Sequence, residues 1–187
     1  MLSAIDTANI FIDLSLHSPE NDMTNLRVNK LLYFAQGSCL AKLNRPLFPE
    51  DFQAWTFGPV VPEVYRAFKS CGHNLIEKQS ASYDRNALDS DEIAVITAIA
   101  EYCGSYSSNR LVAMTHASNS PWSVVFKPGE KNTVIPKELM KEYFVSHPVP
   151  EFRIDYSRME KIGRRDADGN LILPSDEYYA GDDGLYD

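Results

Sequence analysis

Residues 52 to 68 read FQAWTFGPVVPEVYRAF, and the fold turns on how this stretch is divided. Phe52, Ala54 and Thr56 alternate with Gln53, Trp55 and Phe57, the period of a short strand with aromatics on both faces. Gly58-Pro59 is expected to end that strand. Pro62 suits the first turn of a helix, where a missing N–H does no harm. Val64, Tyr65 and Phe68 give that helix an apolar face, and Gly72 can terminate it. The stretch therefore reads as a strand, a sharp corner and a helix.

Upstream, helical spacing dominates. Ser3 and Asp6 resemble a capping box, and Ile5, Ala8, Phe11 and Ile12 follow as one helical face to about Leu16. Thr24 can cap a longer helix whose apolar face holds Val28, Leu31, Leu32, Ala35 and Cys39. Leu26, Tyr33, Phe34 and Leu40 widen the stripe, which predicts a central position in the domain. Gly37 in its middle predicts close packing by a neighbour.

Downstream, residues 73 to 87 read as a loop. A helix capped by Ser90 carries Ile93, Ile96, Ala100 and Cys103, and a shorter one runs from Ser108 to about His116, closed by Asn119-Ser120-Pro121. Pro136 opens a last helix bearing Leu139, Met140, Tyr143 and Phe144. Beyond Pro150, FRIDY alternates like a strand and DADGNLIL predicts a turn with a second strand. The expected fold class is mainly α (α+β): about six helices in a compact domain with a few short antiparallel strands. The expected division is a domain over 1–150 and a hairpin-like extension with an acidic tail over 151–187.

The bulk numbers fit one folded domain. The chain has 187 residues, 44% hydrophobic and 24% charged. Its longest apolar run, IAVITAIA from Ile93, is eight residues, far short of the ~20 of a membrane span. With no basic residue in MLSAIDTANIF to mark a signal peptide, the expectation is a soluble cytoplasmic protein. Cys39, Cys71 and Cys103 are odd in number and evenly 32 apart, which fits reduced thiols rather than a disulfide framework.

Charge is unevenly placed. Seven of the 26 acidic residues lie between Asp166 and Asp187, where there is no Lys or Arg. That leaves 19 acidic against 18 basic groups in the first 165 residues, a net of −1. A tail of this kind repels nucleic acid and can attract a basic partner, although solvation alone is the commoner reason for one.

Catalytic motifs are lacking. There is no Walker loop, dinucleotide-binding glycine turn, zincin motif or nucleophile elbow, and His17, His73, His116 and His147 are scattered. Asp166, Asp168, Asn170 and Glu177 match calcium-loop positions. Yet Leu171 stands where the turn requires Gly, so a hairpin turn with a polar tail is the better reading. Cys71 and His73 are too close along the chain for a convincing thiolate–imidazole pair. Without a basic stripe, nucleic-acid binding is not expected. No metal, cofactor or catalytic residue is assigned, and a non-enzymatic binding protein is the expectation.

Four segments then occur in order: KLLYFAQG (30–37), WTFGPVVPEVYRAF (55–68), MTHASNSPW (114–122) and IPKELMKEYF (135–144). Together they resemble the Panacea domain family, the SocA-like antitoxin domain also found in phage-associated GepA-type proteins. The resemblance covers about residues 26 to 145. It implies a mostly helical antitoxin module that binds and neutralises a protein toxin encoded beside it, often in a prophage. It also implies that toxins of unrelated kinds serve as partners, so it gives a role without a partner's identity. The positions carried over are Lys30, Leu31, Tyr33, Trp55, Gly58, Pro59, Tyr65, Thr115, His116, Pro121 and Trp122.

For these residues the reading is first structural. Gly58-Pro59 sets the corner, Trp55 and Trp122 supply buried area, and Pro121 fixes a helix exit. The second reading is a partner-binding site, an aromatic-lined groove at the corner that holds a toxin segment. Residues 150 to 187 lie outside the resemblance. An alternative function is a prophage accessory protein that inhibits a host enzyme through an acidic, DNA-like surface. The tail favours it and the nearly neutral body opposes it. An enzyme would need a polar cluster around Thr115 and His116.

Overall fold

One long helix, α2 (Asn25–Leu43), is the axis on which the other elements pack. In this computed structural model the described residues are 2–16, 22–77, 88–130 and 132–150, with backbone pairing at 164–165 and 171–172. Every residue of α2 from Arg27 to Leu40 is buried, as its broad apolar stripe predicts. Thr24 caps it by accepting a hydrogen bond from the Arg27 N–H at 3.2 Å. Ahead of it, α1 (Ala4–Leu16) begins with the expected reciprocal box: the Asp6 N–H donates to Ser3 Oγ and the Ser3 N–H to Asp6 Oδ2, each at 3.1 Å.

Polar groups on α2 tie it to its neighbours. Gln36 donates to the Phe48 carbonyl at 2.9 Å and accepts from the Leu47 N–H at 2.8 Å, holding the 47–48 segment across the helix. Arg27 reaches the last turn of α4 (Ser90–Gly104) and donates to the Cys103 carbonyl at 2.8 Å, a cation at a helix C-terminus. Its Nε also lies 2.9 Å from Asp22 Oδ1.

The cap of α4 is Asp89, one residue before the expected Ser90. Glu92 stands three residues after Asp89, so the two close a capping box, and Arg45 pairs with both carboxylates.

The hairpin is the main correction. Phe52–Trp55 forms β1 and Gly58–Val60 forms β2, paired antiparallel with Trp55 opposite Gly58. Thr56 and Phe57 make the turn. Gly58-Pro59 therefore does not end a strand but starts a second one, and the chain reverses before α3 (Pro62–Ala67) begins. Gly58 has φ +101°, the left-handed step that only glycine takes easily. Pro62 opens α3 as expected, and a 3-10 turn at Lys69–Cys71 precedes Gly72.

Later elements follow the expected order with one addition. After α5 (Ser108–Thr115), Ser120 caps a short helix α6 (Pro121–Val125), so Pro121 opens a helix instead of marking an exit. With α6 there are seven α-helices among the described residues, one more than expected. A two-residue strand β3 (Val134–Ile135) pairs with the free side of β1, giving the antiparallel order β2-β1-β3. Finally α7 (Lys137–Ser146) lays Phe144 over Gly37, where a Cβ would come 2.2 Å from the ring.

The chain divides into two units, Met1–Phe152 and Arg153–Asp187. In the second, β4 (Arg164–Arg165) pairs antiparallel with β5 (Leu171–Ile172). The strand expected at FRIDY, the calcium-like carboxylates and the acidic tail lie outside the described residues. The mainly α class with minor antiparallel β stands.

Candidate functional site

The hairpin has two different sides, and the family-like residues divide between them. Along β2, Gly58 and Val60 pair with β1, so the backbone of Pro59 and Val61 faces the other way, toward α2. An edge strand buried there needs partners for those groups. Proline has no N–H, so only its carbonyl requires one, and Lys30 Nζ donates to it at 2.9 Å. The Val61 N–H donates to Asn29 Oδ1, also at 2.9 Å. Side chains of one helix thus do the work of a missing strand.

The fit at this seam is tight. A Cβ on Gly58 would lie 2.7 Å from Thr115 Oγ1 and 2.8 Å from Lys30 Nζ. Thr115 in turn donates to the Val112 carbonyl at 2.8 Å, and Ser120 Oγ donates to the Thr115 carbonyl at 2.7 Å. Lys30 has no exposed surface, and burial draws its pKa down to about 7. Desolvation, then the nearby Lys30 charge, holds the His116 imidazole below its ordinary value. The buried His116 Nε2 has no hydrogen-bond partner.

Behind the hairpin tip the aromatics stack. His116 lies flat on Trp122, centroids 3.7 Å apart at 4°, and Trp122 lies on Phe126 at 4.4 Å and 17°. The Trp122 Nε1–H donates to the Trp55 carbonyl at 2.8 Å. Trp55 itself is half-buried, meets Tyr65 edge-on at 4.9 Å and donates from Nε1 to Gln53 Oε1 at 3.0 Å.

Between these aromatics and the first turns of α2 lies an open groove of about 1120 Å³. Leu26, Ala54 and Val60 line it together with the aromatic side chains of Trp55, Tyr65 and Phe126.

Lys30, Gly58, Pro59 and Thr115 thus meet in the seam. Trp55 and Tyr65 line the groove, Trp122 backs it through Phe126 and the Trp55 carbonyl, His116 stacks on Trp122, and Pro121 opens α6. Tyr33 stands apart, with its ring against Phe52 and Phe144 in the core and its hydroxyl buried without a partner. Burial, then the neighbouring Tyr143, raises that phenol well above its ordinary pKa.

Asn25, Asn29, Phe57 and Phe126 were not singled out from sequence. The two asparagines had a readable sign, since they are polar residues at i and i+4 in the first turns of a helix with a broad apolar stripe. No hydrogen bond joins Cys71 to His73 among the described residues. Burial pushes the Cys39 and Cys103 thiols up to about 11 and about 12, away from thiolate chemistry. Among the described residues no group of three His, Cys, Asp or Glu could hold a metal, and no helix is long and apolar enough to cross a membrane.

The fold and this site describe a helical domain that offers an apolar groove walled by aromatics. Comparison with known proteins then places it. The model of the family described as antitoxin SocA-like, Panacea domain, matches residues 28–123. Antitoxin SocA of Caulobacter vibrioides is 35% identical over 127 residues, covering 63% of this chain and 67% of that protein. No solved structure matches. The chain belongs to the SocA-like antitoxin family with the Panacea domain.

Proposed function

We propose that this protein is an antitoxin that neutralises a protein toxin by binding it directly through the groove beside Trp55. Membership in an antitoxin family supports the role. The observation that carries the mechanism is geometric: the family match takes in the whole hairpin, and that hairpin fronts an open apolar groove. Direct binding needs no chemistry from the antitoxin, only a higher affinity for the inactive or covered toxin than for the active one.

The test is genetic, then biochemical. Each reading frame flanking this gene is induced alone and together with this protein, and growth is followed. One neighbour is expected to arrest growth, this protein to restore it, and the two to co-purify in fixed proportion. If no neighbour is toxic, the reading fails and inhibition of a host enzyme through the acidic tail takes its place.

A further inference from the structure

We infer that the groove receives an uncharged, apolar peptide segment of the partner protein, with one bulky side chain seated between Trp55, Tyr65 and Phe126. This rests on the antitoxin reading and specifies what part of a toxin this surface can hold.

Charge is the first argument. Among the described groove-lining residues Glu130 is the only Asp, Glu, Lys or Arg, and it is already 3.3 Å from Lys127 Nζ. An ionised side chain entering the groove would lose water and meet no free opposite charge among the described lining residues, which is costly.

Hydrogen bonding is the second. The amides of Asn25 and Asn29, which line the groove, are committed inside the protein: Asn29 Oδ1 to the Val61 N–H and Asn29 Nδ2 to Asn25, while Asn25 Nδ2 donates to the Tyr65 carbonyl. The Trp55 indole is held by Gln53 and its carbonyl by Trp122. The amides of Asn25 and Asn29 and the Trp55 indole thus have partners within the protein, whereas the apolar area of the groove gains from burial.

Size is the third. The volume exceeds the ~300–1,000 Å³ of small-molecule sites, which favours a run of residues over a single compact ligand. The walls are also held before anything binds: Phe126 stacks on Trp122, the Trp55 indole is bonded to Gln53, and Tyr65 packs on Trp55. Little side-chain entropy remains to be lost on binding.

Phe57 marks the entrance. It is 69% exposed at the tip of the hairpin and lines the groove, while the left-handed step of the turn falls on Gly58. Its ring contributes little to the core, and an apolar partner segment would cover it.

The experiment uses the full chain with the toxic neighbour co-expressed. A benzophenone amino acid replaces Phe57 in one variant and Val145 in another, the latter exposed on α7 away from the groove. After irradiation, position 57 is expected to cross-link to a stretch of toxin free of Asp, Glu, Lys and Arg, and position 145 to stay silent. Phe57→Asp should weaken binding by about 30-fold or more and Phe57→Leu by about threefold or less, as for an apolar anchor.

Cross-links to a charged stretch, to a second copy of this chain, or from position 145 alone would overturn the inference. So would a complex indifferent to Phe57→Asp. Those outcomes leave the antitoxin reading intact. Absence of any complex with the unmodified protein removes that reading, and this inference with it.

Discussion

The two sides of the β1–β2 hairpin make a natural comparison. On the α2 side every backbone group of β2 has a partner, a lysine is buried to supply one, and there is no room for a methyl group on Gly58. On the groove side the same hairpin leaves Phe57 in solvent and Trp55 half-covered. Sealing one side fixes the position of the other. A wall anchored from behind can present aromatic anchors without collapsing onto them, and its front can change while its back stays the same.

Breaking the seam should have the largest effect. Gly58→Ala adds a Cβ at 2.7 Å from Thr115 Oγ1 and forces a left-handed φ on a non-glycine residue. A loss of about 3 kcal/mol is expected from strain and overpacking together, read as a lower urea midpoint. An unchanged midpoint would mean that the seam is loose.

The second test sharpens the comparison through pH. Burial brings Lys30 from an ordinary 10.5 to about 7, so between those values the unfolded chain holds a proton that the folded chain lacks. Stability should therefore rise with pH above about 7, by at most about 1.4 kcal/mol per unit. Cys39 and Cys103 act in the opposite sense as their ordinary pKa of 9.0 is approached, because their folded values are raised. The clean window thus runs from about pH 7 to 8.5, and Lys30→Met should flatten it. His116, held below 6.5, adds a loss of stability only on further acidification. A slope that survives in Lys30→Met would assign it to another group.

The groove side should respond the other way. Phe57→Ser is expected to change stability by no more than about 0.5 kcal/mol, since the side chain is exposed, while neutralisation of the toxin falls. A large drop in melting temperature would make Phe57 part of the scaffold and erase the contrast. The smallest effect is expected from deleting residues 166–187, which removes seven acidic residues and no basic one. Neutralisation should weaken only slightly and lose part of its salt dependence, measured as complex affinity across ionic strength. Unchanged affinity at low salt would leave the tail without a role in binding.

Much of the fold was legible because its signals are local. The Ser3–Asp6 box, the Thr24 cap, the place of Gly37 and the helix start at Pro62 each depend on a few adjacent residues. Three misjudged points share another cause. The second strand at Gly58, the Asp89 cap and the helix opened by Pro121 each involve residues that suit two roles, and a distant contact chooses between them. For Gly58-Pro59 the choice is made by Lys30, 29 positions earlier. For Asp89 it is reinforced by Arg45, 44 positions earlier.

By itself the sequence determined six of the seven α-helices of the described residues, the caps at Ser3 and Thr24, the centrality of α2 and, through four ordered segments, the family. Local propensity and apolar periodicity act within a few residues and can be read from them. Only the tertiary structure decided that Lys30 would be buried as the partner of a strand edge and that Trp55, Tyr65 and Phe126 would share a groove. Those outcomes depend on which backbone groups remain unpaired after the elements pack, and pairing across that distance has no period along the chain.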